Sequence, residues 1–114
     1  MPEKRDKDTK RQRKRLTLRF GTERPEKIGF TEDISREGIF IKAVYPYPKN
    51  TKLNIELTTP DNNIIKIEGV VMWAKKVPVN LMQFVKKGGM GIRIIRISEG
   101  EDIYAALIYQ PEIE

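Results

Sequence analysis

Leu53, Ile55 and Leu57 alternate with Asn54 and Glu56, and after Pro60-Asp61-Asn62-Asn63 a second run puts Ile65, Ile67, Val71 and Trp73 on one face. A period of two marks a half-buried strand. Proline followed by Asp and Asn is turn chemistry, because proline presets φ and the short polar side chains tolerate the left-handed region. Together they predict an antiparallel hairpin with one apolar face. Its second arm spans Ile64 to Ala74, long enough to bend, and Gly69 is where a bulge fits. Strand parity puts Trp73 in the core beside Val71, with a ring edge near a ligand as the other reading.

The same period recurs elsewhere. Leu16, Leu18 and Phe20 alternate with Thr17 and Arg19 before Gly21. A strand is expected over Lys27 to Asp33, another at Ile39-Phe40-Ile41 directly after Gly38, and a last one from about Gly91 to Ile97. Tyr45-Pro46-Tyr47-Pro48-Lys49-Asn50 is a loop, since each proline lacks a ladder donor. Ser98 and Glu101 read as a capping box that opens a short helix, with Ile103, Leu107 and Ile108 as its apolar stripe and Pro111 as its stop. Six strands, one terminal helix and no βαβ alternation in 114 residues predict an all-β fold. The expected architecture is a small closed antiparallel six-stranded β-barrel with a C-terminal α-helix, because closure removes exposed edges.

Cysteine and histidine are both absent. Thiolate and imidazole metal sites, disulfides and imidazole-activated nucleophiles are therefore excluded. No metal or cofactor is expected, and no pair of carboxylates is singled out for acid–base work. Glu101 and Asp102 suit a helix N-terminus instead. No apolar run approaches the roughly 20 residues that span a bilayer, and the N-terminus is charged rather than signal-like. A cytoplasmic chain without membrane insertion is the expectation.

Charge is unevenly spread. Residues 1–24 hold ten basic and four acidic side chains, which is the chain's whole excess of six, so the body from residue 25 onward is neutral. Residues 1–14 have Met1 as their one sizeable apolar side chain and cannot order themselves by burial. The expected organisation is a flexible basic arm over 1–14, a barrel with its helix over 15–110, and a tail over 111–114.

Two motifs stand out. Arg11 and Arg15 bracket Gln12-Arg13-Lys14, and Asp33-Ile34-Ser35-Arg36-Glu37-Gly38 forms a polar turn between two strands. Paired arginines followed by Asp-x-Ser-x-x-Gly resemble the motifs of the PilZ domain family. Gly69-Val70-Val71-Met72-Trp73 and Gly91-Ile92-Arg93-Ile94 are similar to its long central and last strands. The resemblance covers about residues 10 to 109 and implies a PilZ-like split barrel that binds cyclic diguanylate, the bacterial second messenger with two guanines and two phosphodiesters. It assigns Arg11 and Arg15 to phosphate clamping and guanine stacking, for which a planar guanidinium is suited. Asp33 would accept from guanine N1–H and N2–H₂, Ser35 would add a hydroxyl contact, and Gly38 would let the backbone turn and approach closely.

Lys10, Arg13, Arg36 and Trp73 are secondary candidates. Lys10 precedes Arg11, and in relatives a cation there accompanies a stacked ligand dimer. Arg13 serves if the arm's path differs. Arg19, between Leu18 and Phe20, reads as solvent-facing, as do Arg93 and Arg96. The expected mechanism is an arm that orders over the ligand and presents a changed surface to an unidentified partner protein, without catalysis. Two alternatives stay open: a nucleic-acid-binding small barrel with a basic tail, and a PilZ-like protein-binding scaffold without ligand. The neutral body, lacking an aromatic cluster on one strand, disfavours nucleic acid.

Overall fold

The computed structural model describes residues 12–76 and 88–109, the first two by backbone alone. Seven strands are described: β1 (Gln12–Arg13), β2 (Thr17–Gly21), β3 (Lys27–Ile34), β4 (Gly38–Lys42), β5 (Lys52–Thr58), β6 (Ile64–Lys75) and β7 (Gly89–Glu99). One described helix, α1 (Glu101–Ile108), follows β7 directly. The hairpin of β5 and β6 turns where the sequence predicts, with Asn62 left-handed at φ 69°. Strands run in the order β3–β2–β5–β6–β7–β4, and β4 pairs back onto β3. All pairs are antiparallel, so the six close into the expected barrel. β1 is an additional segment on β3, beyond the end of β2.

Inward parity builds the core. Leu18, Phe20, Ile39, Ile41, Leu53, Ile55, Leu57, Ile65, Ile67, Val71, Met90 and Ile92 are buried together, which removes a continuous apolar surface from water. Register shifts between Lys66 and Ile67, Glu68 and Gly69, and Val71 and Trp73 bend the long strand β6 around the barrel. Arg19 faces solvent opposite Glu56. Arg96 is also exposed; its hydrogen bond to Glu68 at 2.7 Å holds that carboxyl below its ordinary range. In full solvent such a pair contributes little stability.

The capping box does not form. The cap residue is Gly100, left-handed at φ 87°, with no side-chain bond, and Ser98 Oγ instead donates to the Lys66 carbonyl across the sheet at 3.3 Å. β7 runs on to Glu99, so Ser98 is still a strand residue when the helix begins, the one skipped between the Ile97–Ile67 and Glu99–Lys66 pairs. Ile103, Leu107 and Ile108 pack on the core only partly, and the fully buried helical side chain is Tyr104. Pro111 and the segment with Leu81, Met82 and Phe84 lie outside the described residues. Among those described, no helix is long and apolar enough to cross a membrane.

Candidate functional site

Asp33 is the penultimate residue of β3, half-buried with its side chain on the outer face, and lies between the buried Thr31 and Ile34. A register shift makes this possible: Thr31 pairs with Ile41 but Asp33 pairs with Phe40, so Glu32 is the extra residue of a bulge. Arg13 is the Cα partner of Asp33 on the other side. Phe40 in turn pairs with Gly91, and Gly91 with Trp73. Arg13, Asp33, Phe40, Gly91 and Trp73 therefore form one cross-strand row over five strands.

Trp73 is not in the core. The bulge between Val71 and Trp73 reverses its parity and leaves it 47% exposed. Its indole stacks on Phe40, with centroids 5.3 Å apart and planes at 19°. Gly91 lies beneath the stack; a Cβ there would fall 2.1 Å from Trp73 Nε1, so only glycine lets the rings meet. Phe40 faces outward yet is buried. The apolar run Ile39-Phe40-Ile41 conceals this, although β4 parity separates Phe40 from its neighbours.

The polar turn is self-bonded. Ser35 N–H donates to the Gly38 carbonyl at 2.9 Å, and Gly38 N–H donates to Ser35 Oγ at 3.2 Å. The Ser35 hydroxyl, itself buried, also donates to the Gly38 carbonyl at 3.3 Å. Gly38 needs no left-handed φ; positive-φ glycines among the described residues are Gly89 and Gly100. The Glu37 carbonyl accepts from Ile94 N–H at 2.8 Å, fixing the turn to β7. Arg36 is exposed and borders the groove between β7 and α1, away from the row.

The basic leader enters through Thr31. Its hydroxyl accepts from Leu16 N–H at 2.8 Å and donates to the Lys14 carbonyl at 2.5 Å, while Thr31 N–H donates to the Leu16 carbonyl at 2.9 Å. These bonds span the break between β1 and β2 and set the path of residues 12 to 16. Arg13, not Arg15, is thereby registered against Asp33. The exposed Arg15 lies with its guanidinium carbon 4.7 Å from the Phe30 ring centroid, in a cation–π contact. Lys10 and Arg11 lie outside the described residues.

Two hollows draw on the chain either side of Asp33. One, of about 300 Å³, is lined by Ser35, Gly38, Trp73, Gly91 and Arg93, among others. The other, of about 210 Å³, is lined by Lys14, Arg15, Phe30, Thr31, Glu32 and Lys42. Among the described residues, no cluster of three carboxylates is placed to hold a metal ion.

The sequence matches the PilZ domain family profile over residues 6–110. No curated protein sequence matches it with significance. The solved structure of the Bacillus subtilis inhibitor of motility (MotI/DgrA) is similar at a TM-score of 0.64 and 18% identity, a likeness of fold. The match covers 82% of this chain and 44% of that one, so the chain spans less than half of that protein's length. A closed barrel with a C-terminal helix, the Asp33-to-Gly38 turn and a profile match over nearly the whole sequence lead to one assignment: the chain belongs to the PilZ domain family.

Proposed function

We propose that the chain is a receptor for cyclic diguanylate, a cytoplasmic binding adaptor rather than an enzyme. The observation that carries this reading is the cross-strand row that sets Asp33 between Arg13 and the Phe40–Trp73 stack. It combines a guanine-reading carboxylate, the root of a basic leader and an exposed indole face on one surface. Asp33 accepts from the guanine N–H donors, and Trp73 offers a stacking plane. Ser35 and Gly38 act by holding the turn's shape, since the hydroxyl is already engaged there. Arg11, Arg13 and Arg15 neutralise the phosphodiesters as the leader closes from its root on β3, and Lys10 sets whether one ligand or a stacked pair is held. The altered surface is read by a partner protein.

Calorimetry with cyclic diguanylate, cyclic diadenylate and single-stranded RNA tests the reading. Guanine-selective binding that Asp33→Ala abolishes and Arg15→Ala weakens is expected. Equal heats for the guanine and adenine compounds, or preference for RNA, would overturn it.

A further inference from the structure

We propose that the hollow beside Phe30 is a second guanine-reading subsite, in which Glu32 accepts the base's N–H donors and Phe30 holds Arg15 flat against it; this rests on the receptor reading above. Glu32 occupies the bulge of β3 and lines the hollow. Its Oε1 is shut off from solvent and meets no hydrogen-bond donor among the described residues. A carboxylate oxygen without water or donor is unfavourable, and strain of this kind persists where a ligand relieves it. Lys14, Arg15 and Lys42 border the same space, so its electrostatics still favour an anionic ligand despite the carboxylate.

The Watson–Crick edge of guanine carries N1–H and N2–H₂ side by side, a match for one carboxylate. Adenine presents an unprotonated ring nitrogen at the corresponding position. Glu32 therefore attracts guanine specifically. A small side-chain shift in the exposed wall, of the kind common on binding, admits the base to the oxygen. Arg15 supplies the stacking plane. Its guanidinium carbon sits over the Phe30 ring, 4.7 Å from the centroid, which anchors the group and leaves its far side for a purine. Two hollows, one built on the chain just before Asp33 and one on the chain just after it, suit a ligand with two bases, and Glu32 gives the second base its own reader.

The test titrates the full chain with cyclic diguanylate and with the mixed guanine–adenine cyclic dinucleotide. The wild type is expected to prefer the former by about tenfold or more, the scale of a charged hydrogen bond. Glu32→Gln should bring the two ligands near parity while its unliganded melting temperature stays equal or rises, since the shielded, donor-free oxygen no longer belongs to a carboxylate. Phe30→Leu should weaken both ligands alike, by about two- to fivefold. An unchanged preference in Glu32→Gln overturns the subsite. So does a Glu32→Gln protein that melts lower and loses both ligands equally, which marks a structural role. If Asp33→Ala abolishes binding and Glu32→Gln does nothing, only this inference fails. If the wild type binds neither dinucleotide, the receptor reading fails and takes the inference with it.

Discussion

The Tyr104 hydroxyl donates to the Ser35 carbonyl oxygen at 2.5 Å, joining residues 69 apart in the sequence. Both residues are buried, so helix α1 is bonded to the backbone of the polar turn inside the protein. Tyr104→Phe keeps the ring and leaves that buried carbonyl without its donor, which costs about 1–3 kcal/mol. Urea denaturation should show this loss, with faster amide exchange in α1. If stability and exchange are unchanged, the bond does not hold the helix.

At Gly91 an added methyl collides with the aromatic stack, 2.1 Å from Trp73 Nε1. Gly91→Ala should drive the indole off Phe40 into water. The protein has a single tryptophan, so its emission reports the change directly, by a shift to longer wavelength. Losing a stacked pair and exposing Phe40 costs about 1–3 kcal/mol. Unshifted emission would mean that β6 and β7 absorb the methyl and that Gly91 does not set the stack.

Thr31, 2% exposed, is the peg on which the leader hangs. Thr31→Val preserves shape and strand propensity but removes the hydroxyl that bonds Leu16 N–H and the Lys14 carbonyl. About 1–3 kcal/mol of stability should be lost, with faster exchange concentrated at Leu16 and β1. Thr31→Ser retains the hydroxyl and should keep Leu16 protected. Equal exchange in the two variants would show that the β1–β3 pairing alone holds the leader.

What was legible in the sequence follows from period-two alternation. Leu53 to Leu57 and Leu16 to Phe20 announce their strands because one face is buried and the other wet, and Asn62 turns where its side chain tolerates positive φ. Parity fails where a bulge inserts a residue. Trp73 and Asp33 both sit one residue past such a shift, so their facing depends on pairing partners distant in sequence. The Ser98–Glu101 spacing misleads for a related reason: Ser98 is the extra residue of a bulge in β7, its hydroxyl bonded across to Lys66, and the helix starts from Gly100 instead. The Asp33-to-Gly38 motif marks a candidate site in the sequence, but Phe40 and Glu32, the neighbours proposed to complete it, carry no local signal of such a role. Phe30 lies within the expected strand from Lys27 to Asp33, and its contact with Arg15 depends on the path of the leader.

Arg15→Lys separates charge from shape at the leader. Lysine keeps the positive charge and can neutralise a phosphodiester, but its compact ammonium cannot lie flat on Phe30 and present a second face to a purine. If stacking is what Arg15 contributes, Arg15→Lys should bind cyclic diguanylate nearly as poorly as Arg15→Ala, both weakened about tenfold or more. Restoration of most of the affinity by lysine would reduce Arg15 to a point charge. Salt supplies the cross-check. Few phosphates are neutralised, so affinity should fall only shallowly with salt in the wild type, whereas a steep multi-phosphate slope would identify a nucleic-acid track. A stacked guanidinium owes little of its grip to long-range charge, so the lysine variant should lose affinity without changing that slope.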